Sequence, residues 1–399
     1  MRFHWFLPTT GDGHQVRPAT TTTGADPGRG PARPATIGYL TQVARAAEES
    51  GFGALLTPVG AGCPDPLVVC TAVAQHTERI SLLVAFRAGF ALPTLFAQQT
   101  QTFQELTGGR LLLNVVTGGD PREQRGYGDF LDHDQRYART AEYLDVLRGC
   151  WAGAPFDFIG DHYRVEAGGL ATPLADPPAI YFGGASPAAE AVAAAHADVY
   201  LMWGEPPAAI AERAARIRAA TTRDLRLGIR LHVIARETAE EAWCEADRLL
   251  AGMRPEQIAA AQARFARMDS VGQARMAALH NGRSADLEIA PNLWAGVGLV
   301  REGAGTALVG SYADVEERIR EYAALGIDEF ILSGWPHLEE AYRVGEFLLP
   351  RLAGDPRADR SGQQQADQAD QADQADQADR PDRPGRSGRS GRSGRSVPA

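Results

Sequence analysis

The stretch that decides the fold lies at residues 80–116, where ISLLVAF (80–86) is followed by TLFAQQTQTFQEL (94–106) and LLLNVV (111–116). The outer two runs are short, apolar and rich in β-branched and aromatic residues, which is typical of buried strands. The middle run is longer and mixes apolar and polar residues in a helical pattern. A strand, a helix and a second strand in this order predict parallel strands joined by a crossover helix.

This unit recurs along residues 1–353. Strand-like runs lie at Phe3–Leu7, Ala54–Thr57, Ile80–Phe86, Leu111–Val116, Ile180–Gly183, Val199–Trp203, Leu227–Ala235 and Phe330–Ser333. Helical patterns lie at Ile37–Ser50, Leu67–His76, Thr94–Leu106, Arg136–Leu147, Pro187–His196, Pro207–Ala220, Ala239–Met253 and Tyr312–Leu325. Eight alternating units predict an α/β fold, a (β/α)8 TIM barrel. A doubly wound open sheet is the alternative, but no Gly-x-Gly-x-x-Gly run follows the first strand.

Four segments exceed a minimal barrel. An insertion at 150–178 contains a hairpin-like run, Phe156–Val165, and an insertion at 255–310 has the length of an active-site lid. Residues 18–34 are rich in Thr, Gly and Pro and predict a flexible loop. From 354 to 399 the chain is dominated by Gln-Ala-Asp and Gly-Arg-Ser repeats, which predict a disordered tail.

The composition excludes several classes of protein. The chain contains no lysine, so all 40 basic residues are arginine, which excludes a Walker A phosphate loop and Schiff-base catalysis. A formal charge of −10 argues against nucleic-acid binding. No apolar run approaches the roughly 18 residues of a membrane span, and no secretory leader is visible, so we expect a soluble cytoplasmic protein without a membrane partner. The nine histidines form no metal-binding motif. Of the four cysteines, we expect Cys70, Cys150 and Cys244 to be buried.

In a barrel of this type the chemistry lies at the carboxyl ends of the strands. Gly184 and Ser186 lie between the fifth strand and a helix, where they could bind a phosphate or simply form a turn capped by Ser186. Arg230 and His232 are two residues apart on the seventh strand and therefore face the same side. The two side chains could form an anionic substrate site or a structural polar network inside the barrel.

Several runs together resemble one family, the reduced-FMN-dependent alkanesulfonate monooxygenases of the bacterial luciferase-like group. The resemblance covers about residues 3–350. It rests on Gly11-Asp12-Gly13-His14, Asn114-Val115-Val116-Thr117-Gly118, Phe182-Gly183-Gly184-Ala185-Ser186, Trp203-Gly204-Glu205-Pro206-Pro207, Gly228-Ile229-Arg230-Leu231-His232-Val233, Asp269-Ser270-Val271-Gly272-Gln273, Ala304 through Gly310, and Ser333-Gly334-Trp335-Pro336-His337-Leu338-Glu339-Glu340.

This resemblance implies a reaction in which reduced FMN and O₂ cleave the carbon–sulfur bond of an alkanesulfonate, giving an aldehyde and sulfite for sulfur assimilation. A separate NAD(P)H-dependent FMN reductase would supply the reduced flavin, and the protein would be a homo-oligomer, a dimer or a tetramer. The residues that match catalytic positions of the family are Arg230, His232 and Arg301. Those that match substrate-binding positions are Trp203, Trp335, Arg230 and Arg301. Those that match flavin-binding positions are Cys63, Asn114, Thr117, Tyr137, Gly184 and Ser186.

Two positions depart from the family pattern. Trp335 stands where the family usually has tyrosine, and Thr10 stands where many relatives have histidine. An indole has one donor and no titratable hydroxyl, so steric shaping is the expected role of Trp335. Two alternatives stay open: a deazaflavin-dependent dehydrogenase of the same fold, and a non-catalytic flavin-binding protein. Arg301 favours the monooxygenase, because hydride transfer to an uncharged substrate does not need its charge.

Overall fold

A computed structural model of the protein describes residues 1–16 and 33–353. The strands are β1 Arg2–Phe6, β2 Ala54–Thr57, β3 Ser81–Arg87, β4 Leu111–Val116, β5 Phe156–Ile159, β6 Arg164–Gly168, β7 Ile180–Gly183, β8 Val199–Trp203, β9 Arg226–Arg236, β10 Glu288–Ala290, β11 Leu293–Trp294, β12 Ala307–Ser311 and β13 Glu329–Ser333. The predicted tail and most of the predicted 18–34 loop lie outside the described residues.

The helices surround these strands. They are α1 Ile37–Glu49, α2 Pro66–Ala74, α3 Pro93–Thr107, α4 Pro121–Gly126, α5 His133–Trp151, α6 Pro187–His196, α7 Pro207–Ala219, α8 Ala239–Leu250, α9 Pro255–Phe265, α10 Val271–His280, α11 Tyr312–Ala324, α12 His337–Arg343 and α13 Leu349–Leu352. A 3₁₀ turn lies at Gly296–Leu299 and a π turn at Val344–Leu348. Within the described ranges, no helix combines the length and apolarity needed to span a bilayer.

Eight parallel strands close into a barrel in the order β1-β2-β3-β4-β7-β8-β9-β13, and β13 pairs with β1 to complete it. The predicted (β/α)8 fold is therefore confirmed, and each of the eight predicted strands is present to within about one residue at either end. The inside of the barrel is filled by a small apolar cluster that includes Leu56, Leu83, Tyr181 and Ile331. A larger cluster packs the outer strand faces against the helices. The predicted hairpin is also present, as the antiparallel pair β5–β6.

Strand β9 has 11 residues and changes its pairing partner along its length. Its first half pairs with β8 inside the barrel, and its second half, from His232 to Arg236, pairs with β12. β12 belongs to the 255–310 insertion, and β11 and β10 add to it in antiparallel order. This extension of the barrel sheet was not predicted. It attaches the insertion to the barrel directly above Arg230, so the sequence that forms the insertion is also part of the site.

One side chain differs from expectation. Cys70 and Cys150 are buried as predicted, but Cys244 is exposed, because it lies on the outer face of α8.

At the amino-terminal end of the barrel, Glu329 is fully buried and accepts hydrogen bonds from Tyr181 (2.6 Å) and from an Arg226 guanidinium. This cluster lies at the end opposite to the site, so it stabilises the barrel and takes no part in the chemistry.

Candidate active site

The carboxyl ends of the barrel strands and the 255–310 insertion enclose one cavity of about 1720 Å³. Every site residue predicted from the sequence lines it. These residues are Cys63, Asn114, Thr117, Tyr137, Gly184, Ser186, Trp203, Arg230, His232, Arg301 and Trp335. They come from six barrel strands or the loops that follow them, from helix α5 and from the insertion, so the closed barrel brings together residues that are far apart in sequence.

Arg230 projects into the cavity from β9 and is 6 % exposed. Its guanidinium donates to the Ser333 hydroxyl (2.7 Å) and to the Leu231 carbonyl (2.5 Å), and it lies over the Phe6 ring at 4.9 Å. Among the described residues no carboxylate pairs with it. Burial, and then repulsion from Arg301, lowers the pKa of Arg230 to about 9. The group therefore stays charged at neutral pH without a protein counter-ion.

His232 lies next to Arg230 on the same face of β9, and both of its ring nitrogens have partners. Nε2 is 2.9 Å from the Ala304 carbonyl oxygen, and Nδ1 is 2.6 Å from the Ser333 hydroxyl. A carbonyl only accepts, so Nε2 carries the hydrogen in the neutral ring, and the Ser333 hydroxyl, which accepts from Arg230, donates to Nδ1. Burial, and then the charge of Arg230, lowers the pKa of His232 well below its ordinary value. His232 is thus a neutral connector between the barrel and the insertion.

Arg301 reaches the cavity from the insertion, directly after the 3₁₀ turn. Within residues 1–16 and 33–353 its side chain donates no hydrogen bond and forms no ion pair. Burial lowers its pKa, and the neighbouring carboxylate of Glu302 opposes this effect. Arg230 and Arg301 therefore present two positive charges to the same cavity, and Arg301 lies close enough to lower the pKa of Arg230.

The segment that carries Arg301 is held on both sides. The Gln262 amide of α9 donates to the Leu299 carbonyl (2.9 Å), and the Gln273 carbonyl of α10 accepts from the Gly303 amide (2.9 Å). From the barrel side, the Thr306 hydroxyl donates to the Gly204 carbonyl (2.8 Å). Arg301 lies between these attachments, so its backbone is fixed while its side chain faces the cavity.

The insertion is folded against the barrel mouth through ion pairs. Arg275 of α10 pairs with Glu205 at the end of β8, and Glu205 also accepts from Arg213 (2.6 Å). On the opposite rim Arg136 of α5 pairs with Asp269 (2.7 Å). These contacts place α9 and α10 over the cavity, which is the position predicted for a lid. Its opening and closing with ligand stays a prediction.

A second part of the cavity is built by the ends of β4 and β7 with α5 and α6. Ser186 is the N-cap of α6 and accepts from the Ala189 amide (3.2 Å). Gly184 has φ +155°, and a Cβ there would lie 2.5 Å from the Ala189 side chain and 3.2 Å from the Tyr137 hydroxyl. Burial raises the pKa of Tyr137, and the hydroxyls of Thr117 and Ser186 oppose the rise. This corner offers hydroxyl groups and helix-terminal amides, the donors that a phosphate needs.

The aromatic residues divide between the cavity and the core. Trp335 stacks on the His232 ring with centroids 4.5 Å apart, and Trp203 packs against Gly272 of α10. Trp294 does not line the cavity; it is buried in the core that joins the insertion to β9 and β12.

Burial raises the pKa of Cys63, so at neutral pH it is a thiol and has little nucleophilic character.

Three groups of residues in or directly beside the cavity were missed by the sequence analysis. Ser333 bridges Arg230 and His232, as described above. Arg87, at the end of β3, pairs with Glu123 (2.6 Å) below the rings of Phe90 and Tyr127. The third group is the pair formed by Asp12 and His337, which both line the cavity. Each group lies at or after a strand end, and this position was the signal available in the sequence. Which strand ends come into contact can be seen only in the closed barrel.

A comparison with known protein families identifies the family of this chain. The family described as luciferase-like monooxygenase matches residues 1–329. The chain belongs to this luciferase-like monooxygenase family.

Solved structures of about the same length have the same fold. One is riboflavin lyase with a modified FMN and riboflavin (19% identity, 88% of this chain and 91% of that chain covered, TM-score 0.71). Another is EDTA monooxygenase from Chelativorans sp. BNC1 (20% identity, 88% and 93% covered, TM-score 0.69). A third is an F420-dependent secondary alcohol dehydrogenase with an F420-acetone adduct (16% identity, 88% and 99% covered, TM-score 0.59). At these identities the likeness concerns the fold alone.

Proposed function

We propose that this luciferase-like monooxygenase is a two-component enzyme that uses reduced FMN and O₂ to convert alkanesulfonates into an aldehyde and sulfite. The observation that carries the proposal is the pair Arg230 and Arg301, two guanidinium groups that face one cavity and have no carboxylate partner among the described residues.

Two like charges at one cavity, neither of which forms an ion pair with a described carboxylate, are costly unless a ligand neutralises them. A sulfonate is a permanent monoanion with three acceptor oxygens, and guanidinium groups present a planar set of donors to such groups. An alkane or a simple alcohol offers no charge to this pair. The apolar and aromatic surface beside it, which includes Trp203 and Trp335, suits the alkyl part of the substrate.

The corner at α6 fits the phosphate of FMN. Ser186, Tyr137 and Thr117 would hold the phosphate, and Gly184 leaves room there that a side chain would fill. Asn114 and Cys63 line the same cavity and would contact the ring system. When bound, reduced FMN supplies the two electrons that activate O₂ for oxygenation.

The protein's own residues would then have three tasks. Arg230 and Arg301 bind and orient the sulfonate, His232 keeps the Arg301 segment attached to β9, and α9 and α10 exclude water from the cavity. We further propose that a separate NAD(P)H-dependent FMN reductase supplies the electrons.

The test is sulfite release from a panel of linear sulfonates, with photoreduced FMN and O₂ supplied. Carboxylates and alcohols of equal chain length serve as matched substrates. We expect sulfite and aldehyde in equal amounts and little turnover of the matched substrates. Turnover of an alcohol with reduced or oxidised deazaflavin, without sulfite from any sulfonate, would favour the dehydrogenase instead. Flavin binding without any product would favour a non-catalytic flavin-binding protein.

A further inference from the structure

We propose that His337, held by Asp12, is the base that removes the hydroxyl proton of a 1-hydroxyalkanesulfonate and thereby drives the release of sulfite. This inference rests on the proposed function, because a 1-hydroxyalkanesulfonate is the compound that oxygenation of an alkanesulfonate at its sulfur-bearing carbon would form.

The geometry begins with two hydrogen bonds between the same two residues. The backbone amide of His337 donates to Asp12 Oδ2 at 2.7 Å, and its ring Nδ1 lies 3.1 Å from Asp12 Oδ1. The His337 carbonyl accepts from the Trp5 indole at 3.1 Å. Asp12 itself also accepts from the Tyr39 hydroxyl (2.5 Å) and the Gly13 amide (2.8 Å). Both the backbone and the ring of His337 are thus fixed.

These contacts determine which ring nitrogen is protonated. Burial alone would raise the pKa of Asp12, but His337, Tyr39 and Gly13 together lower it to about 2, so the carboxylate is ionised and can only accept. Nδ1 of His337 must therefore carry a hydrogen, and in the neutral ring the lone pair lies on Nε2. No described residue donates to Nε2, and the ring lines the cavity. His232 has the opposite tautomer and no free lone pair.

Three other titratable groups of the cavity, His232, Cys63 and Tyr137, are less suited to accept a proton. The lone pair of His232 is used by Ser333, and burial lowers the pKa of its ring. The pKa values of Cys63 and Tyr137 are both raised by burial, so these groups hold their protons at neutral pH. A carboxylate-bound imidazole with one free nitrogen is the arrangement that general bases use.

The base lies beside the sulfonate site. The His337 ring packs against Phe6 with centroids 5.7 Å apart, and the Arg230 guanidinium packs over the same Phe6 ring at 4.9 Å. In a 1-hydroxyalkanesulfonate the hydroxylated carbon is bonded directly to the sulfonate sulfur. When Arg230 binds the sulfonate, the hydroxyl group of the substrate can therefore face the neighbouring imidazole.

The step balances without any other reactant. Nε2 takes the hydroxyl proton, the O–H electron pair forms the carbonyl bond of the aldehyde, and the carbon–sulfur bond breaks with its pair on sulfur. The monoanionic substrate and neutral His337 thus become aldehyde, sulfite dianion and imidazolium. Arg230 and Arg301 face the second negative charge as it forms on sulfite.

The test needs no flavin, because 1-hydroxyalkanesulfonates are the bisulfite adducts of aldehydes and can be prepared directly. The adducts of butanal and octanal are mixed with the full-length protein, and free sulfite is trapped with a disulfide reagent. We expect the wild-type protein to accelerate dissociation over buffer and His337→Asn to lose this acceleration by a factor on the order of 10². Asparagine keeps an N–H towards Asp12 but has no counterpart of Nε2.

A matched control is His133→Asn. His133 also lines the cavity and has its Nδ1 2.7 Å from a carboxylate, that of Asp134, but it lies on α5. We expect this variant to dissociate the adducts at the wild-type rate. No acceleration by the wild-type protein, or equal acceleration by His337→Asn, would overturn the inference. An equal loss in His133→Asn would also overturn it, since the effect would not be specific to His337.

A second readout is independent of turnover. Nitrogen-15 NMR of histidine-labelled protein reports which ring nitrogen carries hydrogen, and we expect Nδ1–H for His337 and Nε2–H for His232. A Nε2–H signal for His337 would contradict the inference even if the variants lost activity. The proposed function fails separately, if the flavin-supplied wild type releases no sulfite from any sulfonate.

Discussion

Replacing Arg301 with alanine should separate activity from stability. The Arg301 side chain forms no hydrogen bond or ion pair with the described residues, so its removal leaves no partner unsatisfied. It also removes a charge that lowers the pKa of Arg230. We therefore expect the free energy of unfolding to change by less than about 1 kcal/mol. Sulfite release should fall by a factor of about 10² or more, which corresponds to about 2.7 kcal/mol of transition-state stabilisation.

The assay is single-turnover sulfite release with reduced FMN, together with urea melts and flavin titration of each variant. Arg301→Lys should recover part of the rate, because an ammonium keeps the charge but lacks the planar fork. Arg264→Ala is the matched control, since Arg264 also lines the cavity from the insertion but pairs with Glu302 at 3.5 Å. Near wild-type turnover in Arg301→Ala, or a loss of equal size in Arg264→Ala, would refute the assignment of the sulfonate to the arginine pair.

Three further changes have defined outcomes. Ser333→Ala leaves the guanidinium and the imidazole that it bridges each without one partner, so urea melts should show a loss of about 1–3 kcal/mol; an unchanged midpoint would contradict the bridge. The pKa of Asp12 is lowered from 3.8 to about 2, so its ionised form contributes about 2 kcal/mol above pH 4 that is lost as the pH falls towards 2. Melts of Asp12→Asn between pH 5 and 2.5 should therefore decline less steeply than those of the wild type, and parallel curves would argue against this contribution. Arg275→Ala removes the ion pair of α10 with Glu205, so limited proteolysis should cut the 255–301 segment faster than in the wild type, and reduced FMN with a sulfonate should restore protection.

The sequence was sufficient for the eight barrel strands because each is a short apolar run between helical patterns. Residues such as Arg230 and Asn114 could be placed at the site for the same reason, since the carboxyl ends of parallel strands meet at one face. The pairing of β9 with β12 could not be predicted, because it depends on an 11-residue strand leaving the barrel half-way along its length. The signal present, the apolar run at 307–309, is too short to distinguish a strand from a loop.

The contacts that determine the protonation of the site side chains could not be predicted from the sequence, for a related reason. Asp12 and His337 are 325 residues apart, and Ser333 is about 100 residues from the two side chains that it bridges. A sequence pattern places each residue at a strand end but does not say which neighbour it will contact. The tautomers of His232 and His337, and therefore which of them can act as a base, follow only from those contacts.

The absence of lysine has a physical consequence at Arg230. Burial and the charge of Arg301 lower the pKa of this guanidinium from 12.5 to about 9, so it remains charged throughout the neutral range. A lysine has a lower ordinary pKa, about 10.4, so the same burial and repulsion would bring its ammonium much closer to losing its proton at neutral pH. In Arg230→Lys we therefore expect the KM for the sulfonate to rise steeply between pH 6 and 8.5, as the ammonium loses its proton, while the wild-type KM stays flat until the pH approaches 9. KM measured across this range in Arg230→Lys and in Arg301→Lys distinguishes loss of charge from loss of the planar fork. A flat profile for Arg230→Lys would mean that the site hydrates this group more than its burial indicates, and that a guanidinium is required there for its geometry alone.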